Sequence, residues 1–131
     1  MGKTVVLLVI GVLLASAVPT FAHHSFAAEY DANKPVNVTG VVRKVEWQNP
    51  HVFYYLDVAD ASGAVTNWAV EASTPNQLYR RGWRKDDLKI GEEVTLADSS
   101  PARNGLPRVY GGTLTLASGR KVFSGSAATD Q

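Results

Sequence analysis

The stretch that most limits what this chain can fold into runs from Val36 to Val58. It holds two apolar-alternating runs, Val36–Trp47 and Val52–Val58, separated by Gln48-Asn49-Pro50-His51. Alternation with period two over six or more residues is the pattern of a half-buried strand, and an Asn-Pro-containing bend between two such runs predicts a β-hairpin. In the second run Val52, Tyr54, Leu56 and Val58 share one face, and Phe53, Tyr55 and Asp57 share the other. In the first run Val36 and Val38 share a face, whereas Val41, Val45 and Trp47 take the opposite phase after Gly40. A phase change at glycine predicts a bulge or bend there. A long bent first strand that serves both halves of a small barrel is expected of an OB-fold.

The rest of the chain agrees with that expectation. Asp60–Gly63 is a turn, and Val65–Glu71 a third strand with Trp68 and Val70 facing one way. Ser73 or Thr74 caps a helix of about two turns that starts at Pro75 and leaves at Gly82. Leu78 and Trp83 are expected to fill the barrel end. Glu93–Ala97 is the fourth strand, Ser99–Pro107 a loop, Arg108–Leu116 the fifth strand, and Arg120–Ser124 a short last one. The fold class is therefore mainly β, a small OB-like Greek-key barrel of order β-β-β-α-β-β.

What precedes the barrel is read as an address. Lys3, the apolar run Val5–Leu14 and the small residues up to Ala22 form the three parts of a secretory signal peptide, and the run is short for a membrane span. Cleavage after Ala22 leaves His23 as the first residue, and Ala15-Ser16-Ala17 is the competing site. The expected division is a signal peptide over 1–22, an N-terminal arm over 23–35, the barrel over 36–124 and a flexible tail over 125–131. The address is periplasmic or secreted. Removing Lys3 leaves 12 basic against 12 acidic residues, so the total charge argues for neither nucleic acid nor anionic membrane as a partner. No stable membrane span is expected once the signal is cleaved, and the oligomeric state is not encoded in any pattern. The chain has no cysteine, which excludes disulfides, thiolate metal sites and thiol nucleophiles.

The residues His23-His24-Ser25-Phe26, Thr39-Gly40-Val41-Val42, Val45-Glu46-Trp47, Asn49-Pro50-His51-Val52, Asn67-Trp68 and Arg80-Arg81-Gly82-Trp83 together resemble an uncharacterised family of small exported bacterial proteins, a domain of unknown function. The resemblance spans nearly the whole mature chain. It implies export and a small β-rich domain, and it implies no activity.

Three groups of residues could carry chemistry. His23, His24 and His51 are all the histidines of the chain. A free α-amine on His23 with its own Nδ1, joined by a further imidazole, gives a three-nitrogen histidine brace, a ligand set that favours copper. Glu29, Asp31 or Glu46 could add an oxygen. No standard metal motif is present, and the alternative is that the terminal histidines are solvated and His51 caps a turn. The second group is aromatic: Trp47, Phe53, Tyr55, Trp68 and Trp83, either packed in the core or stacking a ligand on the barrel surface. The third is Arg80, Arg81, Arg84 and Lys85, offset by Asp86 and Asp87 and read as a solvated helix end, with an anionic ligand as the alternative.

No nucleophile–base arrangement, phosphate loop or dinucleotide motif is present, so no enzyme activity is expected. The expected function is an exported binding protein holding copper through His23, His24 and His51. The alternative is an envelope interaction module that binds a peptide, glycan or protein through surface residues such as Trp47, Phe53, Tyr55 and Arg81, without metal. An oxidative copper enzyme on the same brace ranks below both.

Overall fold

The computed structural model describes residues 26–126. After one helical turn over residues 26–29 come β1 (Val36–Glu46), β2 (Phe53–Ala59), β3 (Val65–Glu71), helix α1 (Pro75–Arg80), β4 (Glu93–Pro101), β5 (Arg108–Tyr110), β6 (Gly112–Thr115) and β7 (Lys121–Gly125). β1, β2 and β3 form an antiparallel meander. β3 pairs in parallel with β5, β5 pairs with β4, and β4 returns to β1. These contacts close a five-stranded barrel with the strand order expected of an OB-fold. β6 and β7 extend β4 outward as a hairpin.

The expected fifth strand is interrupted. Gly111 and Gly112 adopt φ values of 66° and 94°, the left-handed region that glycine enters without a Cβ penalty. At the break β5 hands over to β6, which keeps pairing with β4 and contributes the buried Leu114 to the core. β4 also runs on to Pro101, into residues expected to be a loop.

Burial follows the alternation along β2. Val52, Tyr54 and Leu56 are fully buried, so their face fills the barrel with Val70, Leu96 and Leu114, and Phe53 and Tyr55 point outward. Along β1 the inward phase does not change at Gly40. Val38, Gly40 and Val42 are all buried, and the register with β2 slips between Val42 and Lys44. The bulge therefore sits at Arg43, three residues later than the sequence indicates, and Val45 and Trp47 pack on the core in the new phase.

Gly40 has a different reason to be glycine. A Cβ there would lie 2.7 Å from the Asp57 carbonyl oxygen and 2.9 Å from Val58 Cγ2. Gly40→Ala is expected to lower stability by about 1–3 kcal/mol, the usual range for overpacking, read as a fall in the urea midpoint at unchanged slope.

The helix obeys its local signals. Thr74 and Gln77 form a reciprocal capping box and Pro75 occupies the first turn. At the other end Gly82 N–H donates to the Tyr79 carbonyl and Trp83 N–H to the Leu78 carbonyl, with Gly82 at φ 94°. This is a Schellman stop, and it turns Trp83 back onto Leu78 in the core. No helix among the described residues is long and apolar enough to cross a membrane.

A carboxylate-centred candidate site on the barrel

The last residue of β3, Glu71, belongs to the outward set of its strand, yet its side chain is only 14% exposed. Three donors from three other segments converge on it. Tyr30 donates its hydroxyl to Oε2 at 2.6 Å, and Arg108, on the neighbouring β5, donates Nη2 to the same oxygen at 2.5 Å. His51, in the β1–β2 connection, places Nδ1 2.7 Å from Oε1. Burial pushes the Glu71 carboxyl up, but the hydrogen bonds from Tyr30, Arg108 and His51 outweigh it and hold the group below the usual carboxylate range. With Glu71 ionised, the short contact requires a proton on His51 Nδ1. In the neutral ring this leaves the Nε2 lone pair available.

The Tyr30 hydroxyl is raised well above the ordinary tyrosine value, first by burial and then by its bond to Glu71, so it stays a donor. Desolvation lowers the Arg108 guanidinium, but Glu71 more than compensates, and the net shift is upward. That guanidinium also faces the rings of Tyr30 and Phe53, at 5.3 and 5.9 Å from their centroids.

The arm builds one wall of the site. Tyr30 bridges to Ala102, Asp31 N–H donates to the Pro101 carbonyl, and Arg103 N–H donates to the Glu29 carbonyl. Phe26 packs edge-on against Tyr110 at 5.0 Å, Tyr30 lies 5.5 Å from the same ring, and His51 lies 6.1 Å from it. Tyr110 is thus the common surface on which the arm and His51 meet. A depression of 480 Å³ opens beside Tyr30 between Glu29, Arg103, Asn104 and Arg108, but its cations already face carboxylates: Arg103 pairs with Asp31, and Arg108 with Glu71 and Glu29.

The sequence candidates are distributed unevenly. His51 is in the site. His23 and His24 lie outside the described residues, as does the expected signal peptide. Glu29 stands at the rim, 3.6 Å from Arg108, and Asp31 pairs with Arg103. Glu46 is occupied by Lys44 and by the Tyr55 hydroxyl. Among the aromatics, Trp83 is fully buried, and Trp47 and Trp68 pack against the core. Phe53 and Tyr55 do face outward, half-buried under Arg108 and Lys44. Arg81 is elsewhere, its guanidinium 4.7 Å over the Phe123 ring. Glu71, Arg108, Tyr30 and Tyr110 were not among the sequence candidates. No group of three or more His, Cys, Asp or Glu side chains that could hold a metal occurs among the described residues.

The fold and site define a small closed β-barrel of OB type with a carboxylate–histidine–arginine–tyrosine cluster where the N-terminal arm docks. The chain belongs to the family of unknown function DUF6152, which matches residues 11–110. No curated protein and no solved structure matches it.

Proposed function

We propose that the protein is an exported copper-binding module, in which the amine and imidazole of an N-terminal His23 and the Nε2 of His51 supply three nitrogens, with His24 adjacent. The observation that carries this reading is the His51 Nδ1–Glu71 contact at 2.7 Å. Metal-bound histidines characteristically donate their second ring nitrogen to a carboxylate, which fixes the tautomer and makes the ligating nitrogen more basic. Position supports it as well. Phe26 and His51 pack on the same tyrosine, and the three residues from His23 to Phe26 can span about 10 Å. Imidazole and amine donors without thiolate favour copper among the divalent metals.

The test compares protein starting at His23 with a form extended by one methionine, each titrated with copper and read by calorimetry and electron paramagnetic resonance. Tight binding by the His23 form and its loss on extension are expected. Glu71→Gln is expected to weaken binding about 10–100-fold, and His51→Ala by at least as much. A secreted protein that starts at another residue, or an affinity no better than free imidazole, overturns the reading. It would leave the outward Phe53–Tyr55 surface as the place to look for an envelope partner.

A further inference from the structure

The neutral total charge conceals a segregated distribution. Residues 79–91 and 120–121 carry seven of the twelve Lys and Arg side chains of residues 26–126 and only two carboxylates, Asp86 and Asp87. The remainder of the described chain holds five cations against nine carboxylates. The two basic segments adjoin one another around Gly82, Asp87 and Phe123. Arg120 donates to the Gly82 carbonyl at 3.2 Å and pairs with Asp87 at 2.5 Å, and Arg81 stacks on Phe123 of β7.

Pairing sharpens the contrast. Among the described cations outside this surface, Arg43, Lys44, Arg103 and Arg108 each have a carboxylate partner, and Lys34 has none among the described residues. On it, Arg80, Arg81, Lys85, Lys89 and Lys121 are exposed and have no carboxylate of the described residues within 4.0 Å. Two of the four most exposed large apolar side chains lie in the same segment: Tyr79 at 59% and Ile90 at 69%. The Arg84 guanidinium sits 4.0 Å over the Tyr79 ring, so the aromatic and the cation form one unit.

We propose that this face docks the protein on a bilayer that displays anionic lipid headgroups. Unpaired cations gain from a negatively charged surface, and each contributes about a fivefold increase in affinity near it. Tyrosine and isoleucine set among them can enter the headgroup boundary, where an amphipathic ring is at home. A soluble polyanion would satisfy the cations but give no role to exposed Ile90. This docking does not depend on the copper reading.

The experiment is co-sedimentation of the His23 form, in buffer with a metal chelator, with vesicles of phosphatidylcholine alone or mixed with phosphatidylglycerol. Binding to the mixed vesicles only, weakened by salt, is expected. Arg80→Gln with Lys85→Gln should reduce affinity ~25-fold. Lys34→Gln, away from the face, should leave it unchanged. Tyr79→Ala with Ile90→Ala should weaken binding several-fold and make the remainder more salt-sensitive. No binding to the mixed vesicles at low salt overturns the proposal. So does binding that free heparin abolishes and that the Tyr79 and Ile90 replacements leave untouched, which assigns the face to a soluble polyanion. Far-UV circular dichroism confirms that each variant is folded.

Discussion

Glu71→Ala lowers the unfolding free energy by about 2–4 kcal/mol, although the side chain lies outside the barrel core. The replacement leaves three donors without their acceptor: the Tyr30 hydroxyl, Arg108 Nη2 and His51 Nδ1. Breaking a fully buried ion pair costs about 3–5 kcal/mol. The range is reduced because Arg108 is 38% exposed and His51 29% exposed, so both can turn partly to water. The Tyr30 ring cannot, since it is 3% exposed. The arm should therefore loosen first, and limited proteolysis near residues 26–31 should reveal it before global unfolding does.

The sign of the pH dependence follows from the same contacts. The folded-state carboxyl of Glu71 is depressed below its unfolded value of about 4.3. Its contribution is complete above that value and is lost as the pH falls through the lower, folded-state value. Wild type should thus lose stability between pH 5 and strong acid more steeply than Glu71→Gln, and the two should converge at the acid end. The other depressed carboxylates, Asp57, Asp60 and Asp87 among them, are common to both proteins and cancel in the comparison. Parallel acid limbs in chemical unfolding would show that Glu71 is not held by its partners in solution.

The second large effect is at Trp83. Its side chain is fully buried, with ring centroids 6.1 Å from both Trp47 and Tyr54. Trp83→Ala is expected to cost about 3–5 kcal/mol, because a barrel closed by hydrogen bonds cannot collapse around the vacated volume. Trp83→Phe should cost less than half of that. The indole Nε1 is buried and has no hydrogen-bond partner among the described residues, and such a donor carries a penalty of about 1–3 kcal/mol. Phenylalanine removes the donor together with part of the volume, so two effects of opposite sign offset. Equal losses for the two variants, measured by guanidinium unfolding, would show that the indole N–H is satisfied.

The barrel was legible because its determinants are local. The alternation in β2, the Thr74–Gln77 capping box and the Gly82 exit each declare themselves within a few residues, and together they fix the element order. The bulge was misplaced because glycine at position 40 signals two different things. Here it marks a close approach to β2, and the register slip falls at Arg43, a residue with no signature of its own. His51 could be singled out because it stands at a bend and histidine is rare in this chain. Glu71 could not, since its three partners come from positions 30, 51 and 108, and only the parallel β3–β5 pairing places Arg108 beside it. The available hint was weak: a lone carboxylate closing a strand whose other outward positions are Val65, Asn67 and Ala69. The cations of the Arg80–Lys89 segment are visible in the sequence, but that Arg80, Arg81, Lys85 and Lys89 have no carboxylate partner among the described residues is not, because Asp86 and Asp87 lie among them.

Among the described strands, each except β7 pairs with two or more others along at least part of its length. β7 is five residues long, begins with Lys121, and at Ser124 already gives its carbonyl to the Ser73 N–H. A chain with no cysteine to lock it can still persist at high local concentration if it offers no template on which copies can stack. Sheet closure thereby shortens the open edges on which copies could add, a hazard that covalent cross-links do not address.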